Sequence, residues 1–163
     1  MLVLSTAHLL KIEKYARAAY PEECCGVLAG SQDGHVRRVT AIYRTTNAAP
    51  RGTRDSYEIE PRALHRVMRQ IREARLQLLG FYHSHPDSLP VPSPADAQKA
   101  WPTYSYVIVS VMGGDPVAVR SWRWSIEARG FEQEPVQVAA LGPGIARFAL
   151  AQLNAGSGTG AGV

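Results

Sequence analysis

The chain has 163 residues, of which 45% are hydrophobic and 20% charged, and this composition predicts one folded domain rather than a disordered chain. No apolar run approaches the length of a membrane span, and residues 1–10 lack the length and the basic leader of a secretory signal. The sequence therefore predicts a cytoplasmic protein with no membrane partner. The net charge of +4 permits nucleic-acid binding, but we expect no nucleic acid as a partner.

The first half of the chain predicts a helix between strands, followed by a β-hairpin. Ser5 or Thr6 is placed to cap the helix, and Pro21 ends it. In chain order the predictions are a strand at 2–4, the helix to about residue 20, a strand at 24–30, a turn at 31–34, a strand at 36–43, a loop at 45–55 and a brief strand at 57–59. The adjacent Cys24 and Cys25 lack the spacing of a zinc knuckle or a redox motif, so we expect two reduced thiols that pack in a strand.

The second half predicts two more helices and several strands. Pro61 is placed to open a helix whose five arginines recur every three or four residues, which is typical of a solvated helix face; an acidic protein partner is the alternative. These arginines are Arg62, Arg66, Arg69, Arg72 and Arg75. Next come a strand at 78–84, a proline-rich loop at 86–92, a helix at 94–100 and strands at 104–111, 117–124 and 126–138.

This mixture of helices and strands predicts an α/β or α+β domain with a central sheet. We place the domain at residues 1–140. The glycine- and alanine-rich residues 141–163 predict a short C-terminal helix or a flexible tail.

A histidine pair at the end of a predicted strand indicates a metal site. His83 and His85 are two residues apart, so they project from the same strand face while Ser84 points away. Two imidazoles and one carboxylate form a catalytic zinc set that leaves a position for water, although iron or manganese binds the same residue types.

Asp96 is the candidate carboxylate, but it has a second interpretation. Ser93 and Asp96 have the spacing of a helix capping box, with Pro94 at the first helical position. A histidine pair is costly to bury without a partner, and the proline-rich loop allows the helix to fold back over the strand end. The two roles need not exclude each other.

The spacing of these residues resembles a known family. His83-Ser84-His85, seven residues, Ser93, two residues and Asp96 is similar to the signature of the JAMM metalloproteases. The segment Pro21-Glu22-Glu23-Cys24-Cys25-Gly26 resembles the upstream Glu-x-Cys-Gly segment of that family. The resemblance extends from the first helix to about Trp124.

The resemblance implies roles for five residues and one cofactor. Glu23, rather than its neighbour Glu22, would be the general base, and Ser93 would stabilise the oxyanion. One zinc ion would be held by His83, His85 and Asp96.

The resemblance also implies a fold and a substrate. The fold would be the MPN domain, similar to the cytidine-deaminase fold, with a curved mixed sheet flanked by helices. The chain resembles the minimal bacterial type of this family. That type implies hydrolysis of a peptide or isopeptide bond at the C-terminal Gly-Gly of a ubiquitin-like sulfur-carrier protein. The resemblance is also compatible with a homodimer. A non-catalytic MPN scaffold and a basic nucleic-acid-binding module are the alternatives.

Overall fold

The computed structural model describes residues 1–50, 52 and 56–139. Helices are interspersed among the strands in the first part of this range, and four consecutive strands follow the last helix. The elements are β1 (Leu2–Ser5), α1 (Thr6–Ala19), β2 (Cys25–Asp33), β3 (Val36–Thr45), α2 (Pro61–Glu73), β4 (Gln77–Pro86), α3 (Pro94–Lys99), β5 (Ser105–Met112), β6 (Asp115–Ser125), β7 (Gly130–Glu134) and β8 (Val136–Ala139).

All the named strands belong to one mixed sheet with the order β7-β6-β5-β4-β2-β3-β1-β8. The central pair β2 and β4 is antiparallel, with Cys25 opposite His83, and β4 pairs with β5 in parallel. The hairpin of β2 and β3 lies beside β4, and β1 joins the sheet by parallel pairing with β3 and β8. The predicted α+β class with a mixed sheet is therefore confirmed.

The two longer helices cover opposite faces of this sheet. Leu9, Ile12 and Ala16 of α1 pack in the larger core, which contains Leu28 of β2. Ile71 of α2 packs in a second core with partners that include Val27 and Ala29 of β2. Because successive residues of a strand point to opposite faces, β2 is buried on both sides and forms the centre of the domain.

The arginine-rich helix α2 is amphipathic. Pro61 occupies its first turn, and its buried residues Ala63, Val67 and Ile71 recur at four-residue spacing. Arg62, Arg66, Arg69 and Arg72 lie on the exposed side of this helix, as expected of a solvated helix face. Arg75, which the sequence placed on the same helix, is also exposed but lies beyond its end at Glu73, with a positive φ of 57°. No helix in the described part of the chain combines the length and apolarity of a membrane span.

Two predicted strands differ from the observed elements. Residues 57–59 make only an isolated bridge between Asn47 and Ile59 rather than a strand. The run 126–138 is two strands at opposite edges of the sheet, because β7 pairs with β6 whereas β8 pairs with β1. Pro135 separates them, and its carbonyl accepts a hydrogen bond from the Leu2 N–H. The predicted C-terminal helix or tail at 141–163 lies outside the described residues.

Candidate metal centre

The predicted metal ligands come together where β4 ends and α3 begins. His83 and His85 lie on one side of β4, both buried, while the hydroxyl of Ser84 points the other way and accepts a hydrogen bond from the Cys24 N–H at 2.8 Å. The first turn of α3 brings Asp96 against both imidazoles. The alternation of side chains along β4 is therefore as predicted.

The donor atoms of these three residues form a tight cluster. The Nε2 atoms of His83 and His85 are 3.0 Å apart, and the Asp96 carboxylate lies 3.2 Å from His83 Nε2 and 3.5 Å from His85 Nε2. In a tetrahedral zinc site with bonds of about 2.0–2.1 Å, neighbouring ligand atoms are separated by about 3.3–3.4 Å. The His83 distance is to Asp96 Oδ1 and the His85 distance is to Oδ2, and both are close to that value. One donor atom from each of the three residues lies within 4.8 Å of the others, so the cluster is compact enough for one small cation.

Asp96 is at the same time part of a helix cap. Its backbone N–H donates to Ser93 Oγ at 3.2 Å, and its carboxylate accepts from the Ser93 N–H and Ser93 hydroxyl, each at 2.7 Å. These contacts form the predicted capping box. The cap and the contact with the histidines coexist, because a carboxylate has enough lone pairs for both.

The electrostatics of the cluster favour a cation. Burial opposes ionisation of Asp96, but hydrogen bonds from His83 and His85 outweigh it and hold the carboxyl pKa well below its ordinary value. Burial lowers the pKa of His83, which keeps that imidazole neutral and able to coordinate a metal. Burial also acts to lower the pKa of His85, but its hydrogen bonds with Asp96 and with the Leu89 carbonyl, together with the charge of Glu23, reverse the direction and raise it.

Two contacts that the sequence did not reveal orient the histidines. The backbone carbonyl of Leu89 lies 3.0 Å from His85 Nδ1, which fixes a proton on that nitrogen and leaves Nε2 as the ligand atom. The ring of Tyr57 stacks on His83 with the centroids 4.5 Å apart and the planes at 26°. A backbone acceptor cannot be recognised from side-chain patterns, and Tyr57 is 26 residues upstream of His83, so no local spacing links the two.

Glu23 lies beside this cluster, whereas Glu22 is exposed. Glu23 is only 3% exposed and lines a cavity of about 390 Å³ together with His85 and Ser93. Its backbone is held from two sides: the side-chain amide of Asn47 donates to the Glu23 carbonyl at 3.1 Å, and Ser84 fixes the next residue. The cavity is otherwise mainly apolar, lined by Pro86, Ser88, Leu89, Val91 and Pro92.

This fold and cluster agree with a family comparison. Residues 5–125 match the model of a family described as prokaryotic homologs of the JAB domain. The match covers most of the chain, including β4 and α3. The chain therefore belongs to this family, and the predicted JAMM resemblance is confirmed.

Two curated relatives are hydrolases by name. The chain is 45% identical over 94 residues to a desampylase of Haloferax volcanii, a match that covers 57% of this chain and 66% of the relative, just under two-thirds of it. It is 32% identical over 125 residues to the CysO-cysteine peptidase of Mycobacterium tuberculosis, covering 76% of this chain and 82% of the peptidase. These names support the predicted hydrolase class.

A solved structure supports the fold. The solution structure of a protein from Desulfitobacterium hafniense superimposes with a TM-score of 0.76 at 28% identity, covering 86% of this chain and 94% of that one. The fold described above is therefore that of an experimentally determined domain.

Proposed function

We propose that the chain is a zinc-dependent metallopeptidase that cleaves a peptide or isopeptide bond after the C-terminal Gly-Gly of a ubiquitin-like sulfur-carrier protein. One observation carries this proposal: the donor atoms of His83, His85 and Asp96 lie within 4.8 Å of one another, beside a cavity that also contains Glu23. The cytoplasmic location and the homodimer stay predictions.

The donor set suits zinc better than a hard cation. Two imidazole nitrogens and one carboxylate oxygen are a known catalytic zinc set, whereas magnesium and calcium prefer oxygen ligands alone. His83, His85 and Asp96 would hold the ion. When bound, zinc supplies a Lewis acid that polarises the substrate carbonyl and acidifies water.

Glu23 is the proposed general base. Its carboxylate accepts a proton from the attacking water and later donates that proton to the departing amine. This role is supported by its position, because Glu23 is buried and lines the same cavity as His85. Asn47 binds the Glu23 carbonyl and Ser84 binds the Cys24 N–H, so the backbone that carries the proposed base is held in place.

Ser93 has two roles in the proposal. It caps α3 and, on the same cavity as Glu23, donates a hydrogen bond to the oxygen that becomes negative when the carbonyl is attacked. In the present arrangement its hydroxyl donates to Asp96, so the hydroxyl must rotate toward the substrate to play the second role.

The substrate class follows from the names of the relatives and from the shape of the cavity. The CysO-cysteine peptidase and the desampylase supply the expectation of a ubiquitin-like carrier. Leu89 and Val91 line the same cavity as Glu23, and a Gly-Gly tail, which has no side chains, needs little space beside them.

A cleavage assay with intact-mass detection tests the proposal. The zinc-loaded chain is incubated with a panel of ubiquitin-like sulfur-carrier proteins that are extended beyond Gly-Gly. We expect at least one carrier to be shortened to its Gly-Gly end, and we expect a chelator to abolish the reaction. Binding of a carrier without any cleavage would contradict the peptidase and favour the non-catalytic scaffold.

A further inference from the structure

The excess positive charge of the chain is concentrated on one helix. Residues 61–75 carry five arginines and one glutamate, a net charge of +4, which equals the net charge of the whole chain. The acidic and basic residues outside this segment therefore balance each other. The five arginines, called the arginine face below, are Arg62, Arg66, Arg69, Arg72 and Arg75.

Most of the arginine face has no ion-pair partner in the part of the chain that the structure describes. Of the five side chains, only Arg69 has a carboxylate within ion-pair distance, that of Glu73 at 3.6 Å. All five are exposed. Like charges three or four residues apart destabilise a helix, and α2 is only about 20 Å long. A partner that carries carboxylates would relieve this repulsion.

A groove of about 520 Å³ lies beside the arginine face. Three of its arginines line the groove together with Met68, Ile71, Leu76 and Leu78, and no acidic residue is among the lining residues. Met68 is 40% exposed, although it is a large apolar side chain. Apolar contacts flanked by charges of one sign suit a protein surface of the opposite sign.

The helix α2 lies on the same face of the sheet as the candidate metal centre. Phe81 packs in the core under α2, and side chains two residues apart on a strand share a face, so His83 and His85 lie on that face as well. Ile59 packs in the same core, and Tyr57 stacks on His83. The segment that leads into α2 therefore contacts the metal centre directly.

The groove lies within reach of the metal centre along β4. α2 ends at Glu73 and β4 begins at Gln77, so the chain turns at the far end of the helix and returns to the histidines. Leu78, which lines the groove, is five residues before His83, or about 17 Å along an extended strand. A protein docked at the groove therefore needs only about five extended residues to reach the metal centre.

We propose that the arginine face and its groove bind an acidic surface on the folded body of the carrier while the Gly-Gly tail occupies the metal centre. This inference rests on the proposed function and adds a property of the substrate, because it selects carriers that present carboxylates beside the tail. Charges of this kind act mainly by speeding association, and salt weakens their effect.

A double charge reversal on α2 tests the docking surface. Arg66→Glu combined with Arg72→Glu should raise KM for an intact carrier roughly tenfold and leave kcat nearly unchanged, because neither residue lines the cavity of the metal centre. High salt should raise the wild-type KM toward that of the variant. A short peptide that has the carrier tail but no folded body should be cleaved equally well by both proteins, which also shows that the variant is folded.

The matched control places the same change of charge on the opposite face of the sheet. Lys11 and Lys14 are exposed on α1, and Lys11→Glu combined with Lys14→Glu should retain the wild-type KM. Arg66→Gln combined with Arg72→Gln adds no negative charge and should show part of the effect of the α2 reversal. An equal rise of KM in both reversed proteins, or no rise in the α2 variant, overturns the docking surface.

A binding measurement separates this inference from the proposed function. Fluorescence anisotropy with a labelled carrier and the Glu23→Gln chain avoids turnover, and reversing Arg66 and Arg72 should raise Kd roughly tenfold. Such a rise with no cleavage of any carrier by the wild type would support the docking surface and contradict the peptidase. Cleavage of a carrier whose Kd ignores the reversal would do the opposite.

Nucleic acid is the competing ligand for a basic helix. A mixed-sequence RNA should not bind the wild type at physiological salt. RNA binding that is lost on reversing Arg66 and Arg72, together with an unchanged Kd for the carrier, would overturn the inference and assign the arginine face to nucleic acid.

Discussion

The carboxylate of Asp96 contributes to two local structures. It completes the capping box of α3 with Ser93, and it contacts both imidazoles. The sequence left open whether this residue caps a helix or binds a metal, and the geometry explains why both interpretations were tenable. The helix cap fixes the carboxylate in position before any cation arrives, which is the preorganisation that a metal site needs.

Tyr57 should act on the metal site through His83. Replacing Tyr57 by Leu removes the ring that stacks on the His83 imidazole. We expect zinc affinity to fall about tenfold or more, as is typical when a residue that orients a metal-binding histidine is lost. Tyr57→Phe retains the ring and should bind zinc almost as tightly as the wild type. Competition with a chelating dye measures both affinities, and wild-type affinity in the Leu variant would disprove the role.

The adjacent cysteines should be inert in the folded chain. Both are buried, and burial raises the pKa of the Cys24 thiol to about 11 and also raises that of Cys25. Only about one Cys24 in a thousand is then a thiolate at pH 8. Iodoacetamide at pH 8 should leave the native chain unmodified and add two groups in denaturant, as read by intact mass. Rapid modification of the native chain would show that this packing is wrong.

At the scale of elements, the parallel pairing of β4 with β5 depends on a close approach at Gly80. A Cβ atom built on Gly80 would lie 1.9 Å from the Ser105 carbonyl oxygen, which is backbone and cannot move aside. Gly80→Ala should therefore destabilise the domain by about 1–3 kcal/mol or more. Gly130→Ala is the matched control, because its nearest atom would lie at an ordinary 3.7 Å. Urea denaturation measures both, and equal stability of the two variants would contradict this account.

Local sequence signals predicted the elements well where the relevant contacts are also local. Ser5 caps α1 by accepting from the His8 N–H, and Pro61 begins α2, as expected. The larger of the two errors, the single strand predicted at 126–138, involves a distant partner. Nothing near Pro135 indicates that the chain after it pairs with β1 at the opposite edge of the sheet from β7.

The candidate site shows the same division between local and distant information. The two-residue spacing on β4 predicted that His83 and His85 lie on the same strand face. The resemblance to the JAMM signature selected Glu23 over Glu22. The contacts of Tyr57 and of the Leu89 carbonyl were not predictable, because one depends on how a loop folds back and the other on a backbone group. Site residues at a fixed spacing can be recognised in a sequence. Contacts that form only when distant segments fold together, such as those of Tyr57 and Leu89, cannot be recognised there.

At the scale of the whole molecule, the site joins parts of the chain that are far apart. Glu23 precedes β2, the histidines end β4 and Asp96 begins α3. A cation that binds only the folded arrangement stabilises all of these together, by about 2.7 kcal/mol at a hundredfold excess over its Kd. Zinc should therefore raise the thermal midpoint of the wild type but not that of Asp96→Asn. Equal shifts in the two proteins would show that zinc binds elsewhere.

The most direct test of the central claim compares bound zinc and turnover in three proteins. The account predicts one zinc and full activity in the wild type. Glu23→Gln should retain the zinc but lose activity by a factor of about 10²–10⁴, because only the general base is removed. Asp96→Asn, which keeps an acceptor for the helix cap, should lose both zinc and activity. Near-normal cleavage by Glu23→Gln, or a full zinc equivalent in Asp96→Asn, would contradict the account.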